Sequence, residues 1–148
     1  MLDKAIHIAA RMHEGQKDKG GHPYILHPLR VMNEVEGETA KICAVLHDVV
    51  EDTGITFDDL SKEGFSEDVI EVLDALTKRE NEEYDDFISR VLENKTACIV
   101  KLADLKDNLD LNRLPSVTEE DFRRMEKYEA AEKRIIEALQ KSGQTDDW

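Results

Sequence analysis

The chain has 148 residues, enough for one domain with a sizeable buried core. Its 34 acidic and 20 basic side chains give a formal net charge of −14, which excludes gripping a nucleic acid polymer through a broad basic face. No apolar run approaches membrane-spanning length, and Met1-Leu2-Asp3-Lys4 starts no signal peptide, so the expected location is cytoplasmic, with no membrane partner. Aliphatic residues dominate, and the sparse Gly and Pro fall between helical patterns. This predicts an all-α, single-domain helical bundle over 1–140, with a loosely ordered tail over 141–148. Cys43 and Cys98 sit inside apolar helical patterns and read as reduced core residues.

Leu2, Ala5, Ile6, Ala9, Ala10 and His13 recur at helical spacing and predict a first helix from about Asp3 to Glu14, ended by Gly15. His7 and His13 read as helix-face residues, because neither has a ligand partner in a recognisable pattern. A polar loop from Gln16 to Tyr24 carries Lys17, Asp18, Lys19 and Gly20-Gly21. His27-Pro28 opens a second helix through Val35; proline suits the first turn, and the His27 ring is expected to face outward there. After Glu36-Gly37-Glu38 comes a central helix from about Thr39 to Val50. Thr56 with Asp59 has the capping-box pattern, and Ser66 caps a helix whose buried stripe is Val69, Val72, Leu73 and Leu76. Tyr84, Phe87, Ile88, Val91 and Leu92 mark another helix, ending near Asn94. From Thr96 to Leu109 runs a helix whose apolar stripe is interrupted by Asp104 and Asn108, a polar pair aimed into a pocket. Thr118 with Asp121 starts a long last helix to about Gln140, with Phe122, Met125, Tyr128, Ile135 and Leu139 on its apolar side.

The central helix ends in a crowd of ionisable groups. His47 and Asp48 are adjacent, and Glu51 and Asp52 follow each of them by four residues, so all four emerge on one broad side. Burying three carboxylates and an imidazole beside Ala44, Val45 and Val49 needs a neutralising partner, which a divalent cation supplies. The competing reading is a helix end fraying into a solvated acidic loop. With His27 and Asp104 added, two imidazoles and two carboxylates balance a divalent ion. Mixed nitrogen and oxygen donors without thiolate suit Mn²⁺ or Fe²⁺, with Zn²⁺ as a further option. Four protein ligands would leave positions for water and a phosphate oxygen.

His27, His47-Asp48 and Asp104 resemble the H…HD…D pattern of HD-domain metal-dependent phosphohydrolases. Gly15-Gln16 with Lys19, Pro23 to Pro28, Leu46 to Thr53 and Val100 to Asp104 look like the hydrolase domain of the RelA/SpoT alarmone enzymes, shared by small stand-alone alarmone hydrolases. The similarity covers about Leu2 to Arg113, and the chain ends before a synthetase domain would fit. The resemblance implies a helical bundle with one Mn²⁺ that removes the 3′-pyrophosphate from guanosine tetra- or pentaphosphate. It assigns Glu51 and Asp52 to the attacking water, Asn108 to the substrate side, and Lys19 and Lys17 to phosphate or base. Asp18, Leu105 and Asp110 stand where relatives carry basic residues, and Asp107 where an aromatic or histidine is common. Two other readings stand beside this one: the same chemistry on another nucleotide or phosphoester, and a nucleotide-sensing module without turnover.

Overall fold

Amphipathic stripes build the outer helices of the molecule, and an unbroken apolar run from Ile42 to Leu46 builds the innermost one. In chain order the helices are α1 (Leu2–Met12), α2 (Leu26–Glu34), α3 (Glu38–Leu46), α4 (Val49–Asp52), α5 (Phe57–Lys62), α6 (Glu67–Leu76), α7 (Tyr84–Val91), α8 (Lys95–Asn108) and α9 (Glu119–Lys141). The computed structural model describes residues 1–110 and 114–141. Among these there is no strand, only an isolated antiparallel bridge between Lys17 and Pro23. No helix in the described residues is long and apolar enough to cross a membrane.

α3 is central because every residue from Ile42 to Leu46 is apolar and buried. Ala40, Ile42, Cys43, Ala44, Val45 and Leu46 are all buried, and α1, α2, α6 and α8 pack around them. α8 is the second inner helix. It buries Ala97, Cys98, Val100, Leu102, Ala103, Asp104 and Leu105 among α2, α3, α6, α7 and α9. Cys43 and Cys98 are unpaired and buried, as the apolar surroundings in the sequence suggest, and burial pushes their thiols up to about 12 and about 11.

The expected caps form. Thr56 and Asp59 bond each other's backbone amides, Ser66 accepts the Val69 amide, and Thr118 and Asp121 bond reciprocally at the start of α9. Asn94 differs from expectation: it does not end the preceding helix but caps α8, its Oδ1 accepting the Ala97 amide at 3.0 Å. Phe122, expected on the apolar side of α9, is 56 % exposed. Ala131, Ile135 and Leu139 supply the buried face, nearer the far end of that helix. The expected loose tail, with Arg113, lies outside the described residues, save Lys141 at the end of α9.

Two further differences shape the site. The central helix is not continuous to Val50; it breaks after Leu46 and resumes at Val49. The His27 ring faces inward rather than outward and is only 5 % exposed, because α8 offers carboxylates to both of its nitrogens.

Candidate metal centre

Neighbouring side chains on a regular helix diverge by about 100°. His47 and Asp48 escape this divergence because they occupy the junction between α3 and α4, where Asp48 takes φ −96° and ψ −8°. Their donor atoms, His47 Nε2 and Asp48 Oδ2, lie 3.1 Å apart. His27 reaches the same point from the first turn of α2, and Asp104 from the middle of α8. Asp104 Oδ1 is 2.8 Å from His27 Nε2 and 3.1 Å from His47 Nε2, and His27 Nε2 is 3.7 Å from Asp48 Oδ2. All four donor atoms lie within 4.8 Å of one another.

The outer nitrogens fix which atoms face the centre. His47 Nδ1 lies 2.5 Å from the Ala44 carbonyl oxygen, which can only accept, so Nδ1 donates and Nε2 is the inward atom. His27 Nδ1 lies 2.6 Å from Asp107 Oδ2 and donates there in the same way. Both imidazoles therefore present Nε2 inward, each oriented by a partner outside the centre. An octahedral cation with donors at about 2.1 Å spaces adjacent donors about 3.0 Å apart; three of the pairs here lie 2.8, 3.1 and 3.1 Å apart and His27–Asp48 lies wider, at 3.7 Å. Two imidazoles and two carboxylates, without thiolate, fit a divalent ion in both charge and donor type.

Electrostatics point the same way. Burial opposes charge on His27, yet Asp104 and Asp107 raise it overall. Burial opposes charge on His47 too, and Asp48 and Asp104 raise it well above an ordinary imidazole. Burial works against the carboxylates as well, but His47 holds Asp48 down to about 2, and Lys101 and His47 hold Asp104 well below the usual range. The centre keeps its anions and draws positive charge into its middle, which protons or a divalent cation can supply.

A surrounding shell holds the donors still. Lys101 Nζ lies 2.9 Å from Asp104 Oδ2, so one Asp104 oxygen is neutralised behind the site while the other faces inward. The Tyr24 hydroxyl donates to Asp48 Oδ2 at 2.5 Å, and burial followed by Asp48 raises its pKa, keeping it a donor. Arg30 Nε lies 2.8 Å from Asp107 Oδ1, tying the partner of His27 in turn.

Glu51 and Asp52 leave α4 towards different neighbours. Glu51 Oε1 accepts the Lys78 amide at 2.9 Å, while Asp52 has the Gln16 side chain near it, which partly offsets the effect of burial on its carboxyl. Burial raises both carboxyls above their ordinary values, and the charge of Asp48 adds to each shift. Each therefore holds a proton more tightly than a solvated carboxylate would.

A cleft of about 360 Å³ opens beside His27, lined in part by Lys17, Lys19, Arg30, Asn108, Arg124 and Tyr128. Asn108 Nδ2 donates to Asp104 Oδ1 at 3.2 Å. Lys19 Nζ and Arg124 Nη2 approach the same Asp121 oxygen at 3.9 and 2.7 Å. Asp18 turns the loop itself: its Oδ1 accepts the Gly20 and His22 amides, both at 2.9 Å. Leu105 is fully buried in the core, away from any substrate face. Sequence reading missed Tyr24, Lys101 and Asp107. The available signal was helical spacing, since Lys101 and Asp107 lie one turn either side of Asp104 and Tyr24 lies three residues before His27.

The HD domain family matches residues 5–97. The chain is 34 % identical over 121 residues to a guanosine-3′,5′-bis(diphosphate) 3′-pyrophosphohydrolase of Aquifex aeolicus, covering 73 % of this chain and 17 % of that protein. It is 31 % identical over 121 residues to a GTP pyrophosphokinase of Streptomyces coelicolor, covering 73 % and 14 %. The chain thus spans less than a fifth of the length of these curated relatives. A solved structure of a metazoan SpoT orthologue, described as hydrolysing ppGpp and acting in starvation responses, superposes with a TM-score of 0.72 at 26 % identity, covering 97 % of this chain and 96 % of that one. With the family match spanning most of the helices that carry the two histidines and Asp48, the chain belongs to the HD-domain family.

Proposed function

We propose that the protein is a divalent-metal-dependent phosphohydrolase that removes the 3′-pyrophosphate from guanosine tetra- or pentaphosphate. The observation that carries this reading is the junction of two features at His27: the four-donor centre on one side and the cleft lined by Lys17, Lys19 and Asn108 on the other. His27, His47, Asp48 and Asp104 would hold the ion, with Mn²⁺ the favoured occupant and Fe²⁺ or Zn²⁺ alternatives. When bound, a divalent ion supplies Lewis acidity toward a phosphoryl oxygen and acidifies water.

The remaining work falls to side chains. Asp52, and Glu51 beside it, accept the proton of the attacking water, a task suited to carboxyls raised above their ordinary values. The water oxygen bonds to the phosphorus attached to the 3′ oxygen. The P–O3′ bond breaks, the 3′ oxygen regains a proton, and pyrophosphate leaves. Lys17, Lys19 and Arg124 hold the remaining phosphates in the cleft, and Asn108 orients the group nearest Asp104. The relatives carry hydrolase and pyrophosphokinase names, but the neighbour matched over almost its whole length is a ppGpp hydrolase, which supports hydrolysis.

The test is incubation of Mn²⁺-loaded protein with guanosine 3′,5′-bis(diphosphate), identifying products by anion-exchange chromatography. GDP and pyrophosphate are expected. Release of product only from other nucleotides would shift the substrate, and tight binding without turnover under any metal would favour a sensor.

A further inference from the structure

Glu51 sits on α4, a single turn that has no stability of its own. Among the described residues its carboxylate accepts one hydrogen bond, from the Lys78 backbone amide to Oε1 at 2.9 Å. That amide is available because α6 ends at Leu76. Thr77, the C-cap, has φ −104° and ψ 113°, so the chain leaves the helix there and the Lys78 N–H is not taken by the α6 ladder. The other side of the same peptide is also held. Arg90, from α7, donates Nη2 to the Thr77 carbonyl at 2.9 Å and Nη1 to the Asp74 carbonyl at 3.2 Å. Its Nε and Nη2 lie 2.7 and 2.8 Å from the two oxygens of Glu82, and Glu82 Oε1 also accepts the Arg79 amide at 3.0 Å. One planar guanidinium thus straps both ends of the 77–82 turn. The Thr77 carbonyl and the Lys78 N–H belong to a single trans peptide plane and point in opposite directions. Arg90 grips one edge of that plane, and Glu51 meets the other.

We propose that Arg90 is a positioning residue for the Glu51 carboxylate, acting through the Thr77–Lys78 peptide. This rests on the phosphohydrolase reading above, in which Glu51 works at the attacking water. A glutamate side chain has many rotamers, and each one it visits away from the water is lost to the reaction. Holding the peptide plane fixes where its N–H points, and the N–H in turn fixes Oε1. The carboxylate keeps one oxygen on the amide and offers the other to the water. A cation on the carbonyl also polarises the peptide and strengthens the bond that its N–H donates. Among the described residues, Arg90 itself bonds neither Glu51 nor any of the four candidate donors.

Lysine keeps the charge of arginine but not its fork, so Arg90→Lys should release the peptide. Two readouts apply. In ¹⁵N-labelled protein the Lys78 amide should exchange with solvent about tenfold or more slowly than a free amide, as a bond to a charged acceptor requires. That protection should be lost in Glu51→Ala and in Arg90→Lys; protection that survives either change overturns the proposal. In turnover, Arg90→Lys should lower kcat by roughly 10–100-fold with KM within about twofold, since misplacing a reacting group costs on that order. Added to Glu51→Ala, the same substitution should cost less than about twofold, because the group it positions is gone. An undiminished cost without Glu51 makes Arg90 a general support of the fold and overturns the proposal. Where Arg90→Lys does not fold, Lys78→Pro addresses the peptide directly. Proline deletes the N–H, and the extended backbone of Thr77 accommodates a proline after it. Against Lys78→Ala, which keeps the N–H, Lys78→Pro should show the same fall in kcat, and equal kcat in the two overturns the proposal. The exchange experiment needs no turnover, so it upholds or overturns the clamp on Glu51 even where guanosine tetraphosphate proves the wrong substrate.

Discussion

Asp107 is none of the four candidate donors, yet under the proposed metal binding it should set affinity through His27. Its Oδ2 lies 2.6 Å from His27 Nδ1, and Arg30 holds its other oxygen at 2.8 Å. Burial opposes its charge, but His27 and Arg30 bring the carboxyl down to about 2, so it is an anion across the working pH range. A hydrogen bond to a charged group contributes about 1.5–3 kcal/mol. At about 1.4 kcal/mol per decade, losing its hold on His27 should weaken metal binding by about 10–100-fold, the range seen when outer partners of metal-bound histidines are removed. Asp107→Ala should show this full loss. Asp107→Asn keeps an acceptor but not the charge, and should lose only about three- to tenfold. Arg30 is 33 % exposed, so water can take up its guanidinium and the fold should survive either change. Isothermal titration of Mn²⁺ into chelator-treated protein measures the affinities, with far-UV circular dichroism checking the helices. A dissociation constant for Asp107→Ala within twofold of wild type would refute the orienting role.

Other expectations follow from the same geometry. Glu51→Gln and Asp52→Asn should retain stoichiometric metal but lose about two to four orders of magnitude in turnover, as removal of a general base does; loss of metal in either would instead make it a ligand. Arg124→Gln should raise KM for guanosine 3′,5′-bis(diphosphate) while leaving kcat nearly unchanged, because Arg124 lines the cleft away from the four donors; an equal fall in kcat would count against a binding role. Glu82 is held down to about 2, first by its hydrogen bond from the Arg90 guanidinium and then by the Arg79 amide. Its folded carboxyl is depressed, so the stability it gives is present above about pH 4.3 and disappears as pH falls through about 2. Thermal melts from pH 5 to pH 2 should therefore fall less steeply for Glu82→Gln than for wild type, and parallel curves would contradict this.

Sequence patterns resolved the parts of this protein that are set locally. Capping pairs three residues apart, such as Thr56 with Asp59, settle with neighbours on the same turn, and the apolarity of α3 leaves it no place but the centre. The break at His47-Asp48 was not legible, because periodicity reports which face a residue occupies on a continuous helix and not where the helix yields. The inward turn of His27 depends on Asp104 and Asp107, which are 77 and 80 residues further along the chain. No local rule connects such partners. The exposure of Phe122 has the converse cause: its spacing suits an apolar face, but the fully buried apolar residues of α9 begin at Ala131, with Tyr128 half-buried just before them.

The acidic residues in and beside the cleft take on a different meaning once their partners are known. Asp18, read from sequence as an anion where relatives have a cation, bonds the Gly20 and His22 amides and so shapes the turn that presents Lys17 and Lys19. Asp107 orients His27 and holds Arg30. Asp121 caps α9 and draws Lys19 and Arg124 together, leaving two cations around one carboxylate. These anions act on their neighbours at hydrogen-bond range. The overall charge of −14 acts over longer distances, where about 8 Å of physiological salt solution screens it. For the proposed polyphosphate substrate, net charge would therefore bear on the rate of arrival more than on the strength of binding. The family match ends at residue 97, before Asp104, Asn108, Asp121 and Arg124. Helix α8 supplies Asp104, the fourth candidate donor, and α8 and α9 together line the far side of the cleft. If the proposed site holds, differences in substrate choice among chains that share it should be sought there first.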